Sequence, residues 1–261
     1  MDAARRCADA DLRVVSAHAQ FIRPGNASRA LLYDVSRVFD GRSLVSRQVT
    51  VVQNEEMMAS CHVRLGRERQ PESAAVFGPA MPVVAPPTQL EESRILLAEH
   101  VARPDLSKVD RLLSQMRLKN EPRQFIIKPV EPQNWLGLNK TDLSMLSWVK
   151  PKEEFESGED VVARHCSSIV FYGDFALVQS AAKAQAACGL MTSQVLSLDF
   201  SLWFHQAELL SPSQMSDYLL FAANTSASAA DRSVSHGTVW TSDGELVLTM
   251  MSQILLRAQR V

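Results

Sequence analysis

The chain has 261 residues, of which 46% are hydrophobic and 21% are charged, so it can bury the core of one large domain or of two small ones. Its 27 basic and 29 acidic residues give a formal net charge of -2, without a long run of either sign. This balance offers no electrostatic footprint for nucleic acid or for an anionic membrane. No apolar run approaches the roughly 18 residues of a membrane helix, so we expect a soluble protein.

The first quarter of the chain is dominated by strand-like runs. They are broken at Asp40-Gly41 and at Asn54-Glu55, which favours an antiparallel meander. A weak repeat at an offset of 188 (221 minus 33) matches Leu32-Tyr33 with Leu220-Phe221, so a related meander is expected near the end of the chain. The predicted strands are Leu31–Phe39, Leu44–Gln53 and Met57–Leu65.

Five prolines between Gly66 and Pro87 predict a linker, and a domain boundary is expected there. Thr88-Gln89-Leu90-Glu91 has the form of a capping box, which predicts a helix that ends near His100. A second helix is predicted over Asp105–Leu118. We therefore divide the chain into an N-terminal unit, a linker with helices and a second unit, at residues 1–66, 67–122 and 123–261.

The second unit mixes strands with one long helix. Two strands are predicted first, over Phe125–Val130 and Ser144–Lys150. The helix should begin near Ser157, and its buried face is predicted by residues at helical spacing, namely Val162, Cys166, Ile169, Val170, Gly173 and Leu177. The strands expected after it are Gln194–Phe204, Asp217–Ala223, Ser233–Thr241 and Leu246–Arg257. This pattern alone indicates an α+β fold.

Cysteines and glycines exclude several classes of site. Four irregularly spaced cysteines form no C-x-x-C pair, which predicts reduced thiols in an intracellular protein. The ten glycines form no G-x-G-x-x-G, no P-loop and no G-x-S-x-G, and no histidine begins an H-E-x-x-H. Dinucleotide enzymes, P-loop NTPases, serine esterases and the commonest zinc hydrolases are therefore disfavoured.

Two separated sets of motifs together resemble the type II (TesB-like) acyl-CoA thioesterase family. The later set comprises Ser197-Leu198-Asp199-Phe200-Ser201-Leu202-Trp203-Phe204-His205, Thr225-Ser226-Ala227-Ser228 and Thr241-Ser242-Asp243-Gly244. The earlier set comprises Phe21-Ile22-Arg23-Pro24-Gly25, Leu32-Tyr33-Asp34-Val35 and Gln53-Asn54. The resemblance implies a double hotdog fold, in which antiparallel sheets each wrap around a helix. Only seventeen residues precede His18, so we expect the N-terminal hotdog to be incomplete, with Met1–Cys7 at most the end of its helix.

The resemblance also implies a catalytic set, which we predict as Asp174, Ser197 and Gln253. Asp174 matches the aspartate of the family's Asp-Thr-Gln set, and Ser197 keeps a hydroxyl where the family has threonine. Without the resemblance, an acid on the solvent face of its helix is the favoured interpretation of Asp174, and Ser197 could be an ordinary residue at a strand end. A carboxylate inside an apolar run nevertheless needs donors or solvent, which a cleft provides.

The third member departs from the family pattern. The family's glutamine lies eight residues beyond the glycine of the Asp243-Gly244 turn, where this chain has Ser252, and Gln253 follows it. One residue reverses the facing of a strand side chain, so Gln253 would face the site only if a β-bulge lay between Leu248 and Gln253. If the strand is regular, Ser252 takes the position instead.

Other conspicuous residues have structural explanations. Trp203 and His205 belong to a structural signature of the family, and a strand histidine in an apolar setting is more often a hydrogen-bonded core residue than a catalytic one. Arg23-Pro24-Gly25 and Arg47 are interpreted first as turn geometry and packing, and only second as contacts to CoA phosphates. An acyl channel is expected beside Phe171, Phe175, Leu198 and Phe200.

The implied reaction is hydrolysis of acyl-CoA or a related acyl thioester to acid and thiol, by a water that the catalytic set activates, with no metal or organic cofactor. Two alternatives stay open. One is a degenerate hotdog that serves as a binding or assembly subunit, and the other is a dehydratase or isomerase of a biosynthetic pathway. The substrate thioester is the expected partner, with no nucleic acid and no membrane, and a homo-oligomer is one arrangement the sequence allows. We expect a cytoplasmic location, or a peroxisomal one by resemblance alone.

Overall fold

The structure is a computed structural model that describes residues 1–67, 77–139, 141–152, 161–205 and 217–260. Five helices and eleven strands lie within these ranges. In chain order they are α1 (Asp2–Arg6), β1 (Leu12–Phe21), β2 (Leu32–Asp40), β3 (Leu44–Gln53), β4 (Glu56–Arg67), α2 (Ser93–Ala102), α3 (Lys108–Asn120), β5 (Phe125–Pro129), α4 (Pro132–Trp135), β6 (Met145–Pro151), α5 (Val161–Ala187), β7 (Leu190–Ser197), β8 (Asp199–Phe204), β9 (Leu219–Ala229), β10 (Arg232–Trp240) and β11 (Leu246–Arg260).

The described strands form one continuous sheet in the order β2-β3-β4-β1-β8-β11-β10-β9-β6-β5, and β7 pairs with β11. The halves are topologically equivalent, because β2-β3-β4 and β9-β10-β11 are both antiparallel meanders that lead inward to β1 and β8. The predicted repeat falls on these two meanders. Pairing of β1 with β8 joins the halves, so the N-terminal strands dock along the second half.

Helix α5 packs across the sheet of the second half. Four of the residues predicted for its buried face are buried, namely Cys166, Ile169, Gly173 and Leu177, and Val162 and Val170 pack at its edge. The predicted start near Ser157 lies outside the described residues. Contrary to the expectation from sequence, α5 is long and apolar enough to cross a membrane by length and composition. Its packing against β7, β9, β10 and β11 is that of a core helix.

The N-terminal half has much less helical cover. Among the described residues before Gly78 the only helix is α1, which has five residues and packs on β1, β2 and β3. Arg47 is 3% exposed and ties these elements together, because its guanidinium donates to the carbonyl oxygens of Cys7 and Phe39 and pairs with Asp40. The structural interpretation of Arg47 therefore holds.

The described end of the proline-rich segment, residues 77–87, packs on the face of the second half's sheet opposite α5. Met81 and Val84 contact a cluster formed by Trp148, Leu220 and Trp240. The indole N–H of Trp148 donates to Ala85 O at 2.9 Å, and that of Trp240 donates to Pro79 O at 3.0 Å. These bonds satisfy two buried donors and hold the segment as a strap across the sheet.

The helices after the strap are shifted from their predicted positions. The capping box predicted at Thr88 is wrong, because Thr88 lies in a 3-10 turn over Pro87–Gln89. Helix α2 begins later, at Ser93, without a side-chain cap. Helix α3 begins after Ser107, whose side chain accepts the N–H of Asp110 and so acts as its N-cap.

Candidate functional site

Asp174 lies on α5, directly after a glycine that contacts the sheet. A Cβ on the preceding residue, Gly173, would lie 2.5 Å from the sulfur of Met250 on β11, so a larger residue there would require the Met250 side chain to move. Met250 is also bounded by Gly237, where a Cβ would lie 2.6 Å from the methionine methyl group. Glycine at both positions therefore leaves room for the Met250 side chain beside Asp174.

Ser197 reaches Asp174 from the end of β7. Its hydroxyl donates to Asp174 Oδ1 at 2.9 Å. Ser197 pairs with Ile254 on β11, and directly opposed residues of an antiparallel pair point to the same face, so both face α5. The structure thus brings together two of the three predicted site residues, which are 23 positions apart in the sequence.

The carboxyl group of Asp174 is held in an environment that disfavours its charge. Burial raises the pKa of this carboxyl above its usual value, and the hydrogen bond from Ser197 partly opposes the rise. Among the described residues, Ser197 provides the one side-chain hydrogen bond to Asp174. A carboxylate with a raised pKa is a stronger base than an exposed one, which suits proton abstraction from water.

The strand that carries Ser197 is broken just after it. The last pair between β8 and β11 is Ser201 with Met251, and the first between β7 and β11 is Ser197 with Ile254. Three residues therefore oppose two on β11, which is a β-bulge. The single strand predicted over Gln194–Phe204 is thus two strands, because the ladder shifts register at this bulge.

Asp199 supplies hydrogen bonds to β11 at the bulge, where regular strand pairing is interrupted. Its carboxylate accepts the backbone N–H of Gln253 at 2.8 Å, and its own backbone oxygen accepts the hydroxyl of Ser252 at 2.6 Å. Leu198 N donates to Gln253 O at 2.8 Å. Sequence reasoning missed this role of Asp199, and no signal beyond its place in the Ser197–His205 motif pointed to it.

The bulge expected between Leu248 and Gln253 is absent, because β11 pairs regularly with β10 from Leu248 to Leu255. Alternation along this regular strand puts Ser252 on the α5 face with buried Met250 and Ile254. Gln253 points to the opposite face. The position that the family's glutamine would occupy is therefore held by Ser252, which is fully buried and already donates its hydroxyl proton to Asp199 O.

The remaining singled-out residues make contacts that suit structural roles. His205 hydrogen-bonds to Thr249 at 3.0 Å, and Trp203 packs edge-on against His18 with ring centroids 5.2 Å apart. Arg23 donates to Met57 O at 3.0 Å, which ties the Arg23-Pro24-Gly25 turn to β4.

The residues expected to line an acyl channel differ in exposure. Phe200 is core, at 5% exposed, and lies beneath Gly173. Phe171 lies about one helical turn before Asp174 and is 55% exposed. Its ring stacks on that of Phe125, with the ring centroids 6.2 Å apart. Phe175 and Leu198 are half-buried. An apolar surface therefore adjoins Asp174, with Phe171 as its open end.

Comparisons with known proteins identify the family of this chain. The family model of the acyl-CoA thioesterase C-terminal domain matches residues 105–256, and that of the acyl-CoA thioesterase N-terminal domain matches residues 1–66. The chain therefore belongs to the acyl-CoA thioesterase family, in its type II, TesB-like branch.

Individual relatives cover nearly the whole chain. Human acyl-coenzyme A thioesterase 8 is 26% identical over 98% of this chain and 77% of its own length. Acyl-CoA thioesterase 2 of Haemophilus influenzae is 24% identical over 98% of this chain and 84% of its own.

Solved structures show the same fold. Acyl-CoA thioesterase II TesB2 of Mycobacterium marinum superposes with a TM-score of 0.72 at 22% identity, over 97% of this chain and 84% of that one. A hot dog fold protein of Alicyclobacillus acidocaldarius gives a TM-score of 0.66 at 15% identity, over 95% and 80% of the two chains. The fold is accordingly a double hotdog, and its N-terminal half has only α1 as helical cover within the described residues.

Proposed function

We propose that this protein hydrolyses acyl-CoA or a related acyl thioester to a free acid and a thiol, with Asp174 as the base toward water. The observation that carries the proposal is the hydrogen bond of 2.9 Å between Ser197 and the half-buried Asp174 carboxylate. Family membership supports the same reaction class.

Asp174 and Ser197 have different roles toward the attacking water. The Ser197 hydroxyl occupies Asp174 Oδ1 and leaves Oδ2 to accept a hydrogen bond from water. The serine oxygen keeps lone pairs, so it can accept the second hydrogen of the same water. Such a water is aimed by two acceptors and is adjacent to the apolar surface that ends at Phe171.

The proposed reaction has no acyl-enzyme. Asp174 takes a proton from the water as its oxygen attacks the thioester carbonyl carbon, which gives a tetrahedral intermediate. The carbon–sulfur bond then breaks, and the departing sulfur takes the proton from Asp174, so the free acid and the thiol are formed and the carboxylate is restored.

Ser252 replaces the amide that the family uses at the third position. A hydroxyl lacks the planar donor and acceptor pair of an amide, and this one already donates to Asp199 O. We therefore propose that Asp174 and Ser197 carry the water activation, with weak turnover compared with an enzyme that has the full set.

The test is thiol release from purified protein, measured over acyl-CoA substrates of increasing chain length. Ser197→Ala should lower kcat by roughly tenfold to a hundredfold, the range expected when a charge-assisted hydrogen bond is removed. Ser197→Thr keeps the hydroxyl and serves as the matched control, with kcat within a few-fold of the parent. No thiol release from any substrate would refute hydrolysis, and equal loss in both variants would refute the role of the hydroxyl.

A further inference from the structure

Strand β2 forms one edge of the sheet and carries many exposed apolar side chains. Among the described strands it pairs only with β3, so one side of its backbone has no strand partner there. Four of its apolar side chains are more than half exposed, namely Leu32 (67%), Tyr33 (52%), Val38 (58%) and Phe39 (56%). An apolar strand with an open backbone edge is a template for pairing with a strand of another chain.

The second half of the same chain shows how a strand at this position is covered. Strand β9 is the equivalent of β2, because both begin equivalent meanders, and Leu220 and Phe221 stand where β2 has Leu32 and Tyr33. Leu220 and Phe221 pair with β6 and are 0% and 2% exposed. Within the described ranges β2 has no counterpart of β6. It therefore carries the side chains of a paired strand without the pairing.

The sequence of β2 is self-complementary in one antiparallel register. A two-fold axis perpendicular to a sheet preserves its faces, so only registers that oppose residues of the same facing are possible between two copies. With the axis at Val35, the opposed pairs are Val35 with Val35, Asp34 with Ser36, and Tyr33 with Arg37. These pairs are apolar with apolar, carboxylate with hydroxyl, and aromatic ring with cation, and each is favourable across strands.

The neighbouring registers are less favourable. An axis at Asp34 opposes the two copies of this carboxylate, and like charges directly opposite are destabilising. An axis at Ser36 opposes Arg37 to Val35 and Asp34 to Val38, so both charges face apolar side chains. The register shift of β2 against β3 comes only after Arg37, so the residues around Val35 present a regular edge. The register centred on Val35 is therefore preferred.

We propose that β2 is the docking site for β2 of a second copy of this chain, and that two molecules join there into one continuous sheet. Each β2 takes the place beside the other that β6 has beside β9, and both pairings are antiparallel. Such a contact uses the same surface on both copies, so it closes as a dimer and does not propagate into a filament. Four described strands lie between β2 and β11 in the sheet, so the contact is independent of the proposed hydrolysis.

The first test is sedimentation velocity of the full chain from about 1 to 100 μM, where a dimer is expected. Tyr33→Lys places a like charge opposite Arg37 twice, because of the symmetry, and should raise the dimer Kd by roughly tenfold or more. Tyr33→Lys combined with Arg37→Glu restores opposite charges in the same register and should recover most of the affinity. Leu112→Lys, at a side chain of α3 that is 51% exposed, is the matched control and should leave the dimer unchanged.

The second test is a cross-link that reports the register. Directly opposed residues of antiparallel strands have Cα atoms about 4.5–5.5 Å apart, which is within the span of a disulfide. In a Cys188→Ser background, which removes the exposed native thiol, Val35→Cys should form a disulfide-linked dimer with oxidised glutathione. Ser36→Cys should cross-link much more slowly, because its two copies are offset by two positions in this register.

The outcomes separate this edge from other ways of associating. A parent chain that stays monomeric up to 100 μM overturns the proposal. A dimer that persists in Tyr33→Lys and forms no Val35→Cys cross-link also overturns it, because another surface then joins the copies. Tm of each variant is measured to detect unfolding, and if Tyr33→Lys does not fold, the comparison of the two cysteine variants decides. Failure of hydrolysis has no bearing on either readout.

Discussion

Replacing Asp174 by asparagine should abolish most activity and stabilise the fold at the same time. The change removes the charge but keeps the shape, and the asparagine oxygen can still accept the Ser197 hydroxyl. Loss of the base should lower kcat by at least about a hundredfold, the lower end of general-base contributions. The two effects have opposite signs because the feature that suits Asp174 to catalysis, its burial, costs folding free energy.

The pH dependence of the stabilisation follows from the direction of the pKa shift. Burial raises the folded-state pKa of Asp174 above the ordinary value of 3.8. Well below that value the carboxyl is neutral in both states and costs nothing. As pH rises through the folded pKa, the ionised form is disfavoured in the fold and stability is lost. Asparagine removes this loss, so its advantage is greatest at neutral pH.

The magnitude can be bounded from the same linkage. Each unit by which burial raises the pKa corresponds to about 1.4 kcal/mol at neutral pH. For a chain of this size, 1 kcal/mol shifts Tm by roughly 2–4 °C. The weaker hydrogen bond from Ser197 to a neutral acceptor offsets part of the gain, by about 1 kcal/mol.

The assay pairs thiol release with melting curves at pH 4, 6 and 7.5. Asp243→Asn, at an exposed turn residue, is the control and should leave both readouts unchanged. An Asp174→Asn protein that is as active as the parent refutes the base role. A Tm that falls at pH 7.5 and recovers at pH 4 refutes the desolvation argument.

Three further predictions follow from the same geometry. Ser252→Ala should lower kcat, whereas Gln253→Ala should change kcat less than twofold, because Gln253 points away from α5; a large loss for the glutamine with none for the serine would reverse this assignment. In a pH–rate profile, kcat/KM should fall as pH drops through the raised pKa of Asp174, at a higher pH than an exposed aspartate would give, and a flat profile down to pH 4.5 would contradict it. The fragment of residues 1–67 should not melt cooperatively as a monomer, because β1 would lose its partner β8 and only α1 covers the sheet. Calorimetry of the fragment, with sedimentation to establish that it is monomeric, tests this, and a cooperative melt of the monomer would contradict it.

Local sequence signals predicted the meander of the N-terminal half within two residues. The turn between β3 and β4 is made by Asn54 and Glu55, both with positive φ, at 51° and 67°. Such a two-residue turn fixes the register of the strands it joins, so alternation and turn residues were sufficient. Strand β1 was missed, because a register shift between Val14 and Ser16 interrupts its alternation.

The sequence named two residues that the structure brings together, Asp174 and Ser197, but it did not determine which side chain of β11 faces them. Asp174 and Ser197 were identified by resemblance, and the apolar context of Asp174 alone favoured an ordinary acid on the solvent face of its helix. Which of Ser252 and Gln253 faces α5 depends on the strand in which the β-bulge lies. The bulge lies at Leu198–Phe200, between β7 and β8, and not in β11. A bulge between β7 and β8 does not change the sequence pattern of β11, so the sequence of β11 alone could not predict which of its side chains faces α5.

That bulge also bears on how Ser252 acts, because two mechanisms predict the same loss of kcat from Ser252→Ala. In one, the hydroxyl oxygen holds the attacking water. In the other, the hydroxyl clamps Asp199 O and so fixes the bulge that positions Ser197. The clamp is worth about 1 kcal/mol as a buried hydrogen bond, and its loss leaves Asp199 O unsatisfied. A clamp must therefore lower Tm by a few degrees along with kcat, whereas a water ligand lowers kcat alone. The bond of 2.6 Å to Asp199 O favours the clamp, and a Ser252→Ala protein with an unchanged Tm and reduced kcat would rule it out.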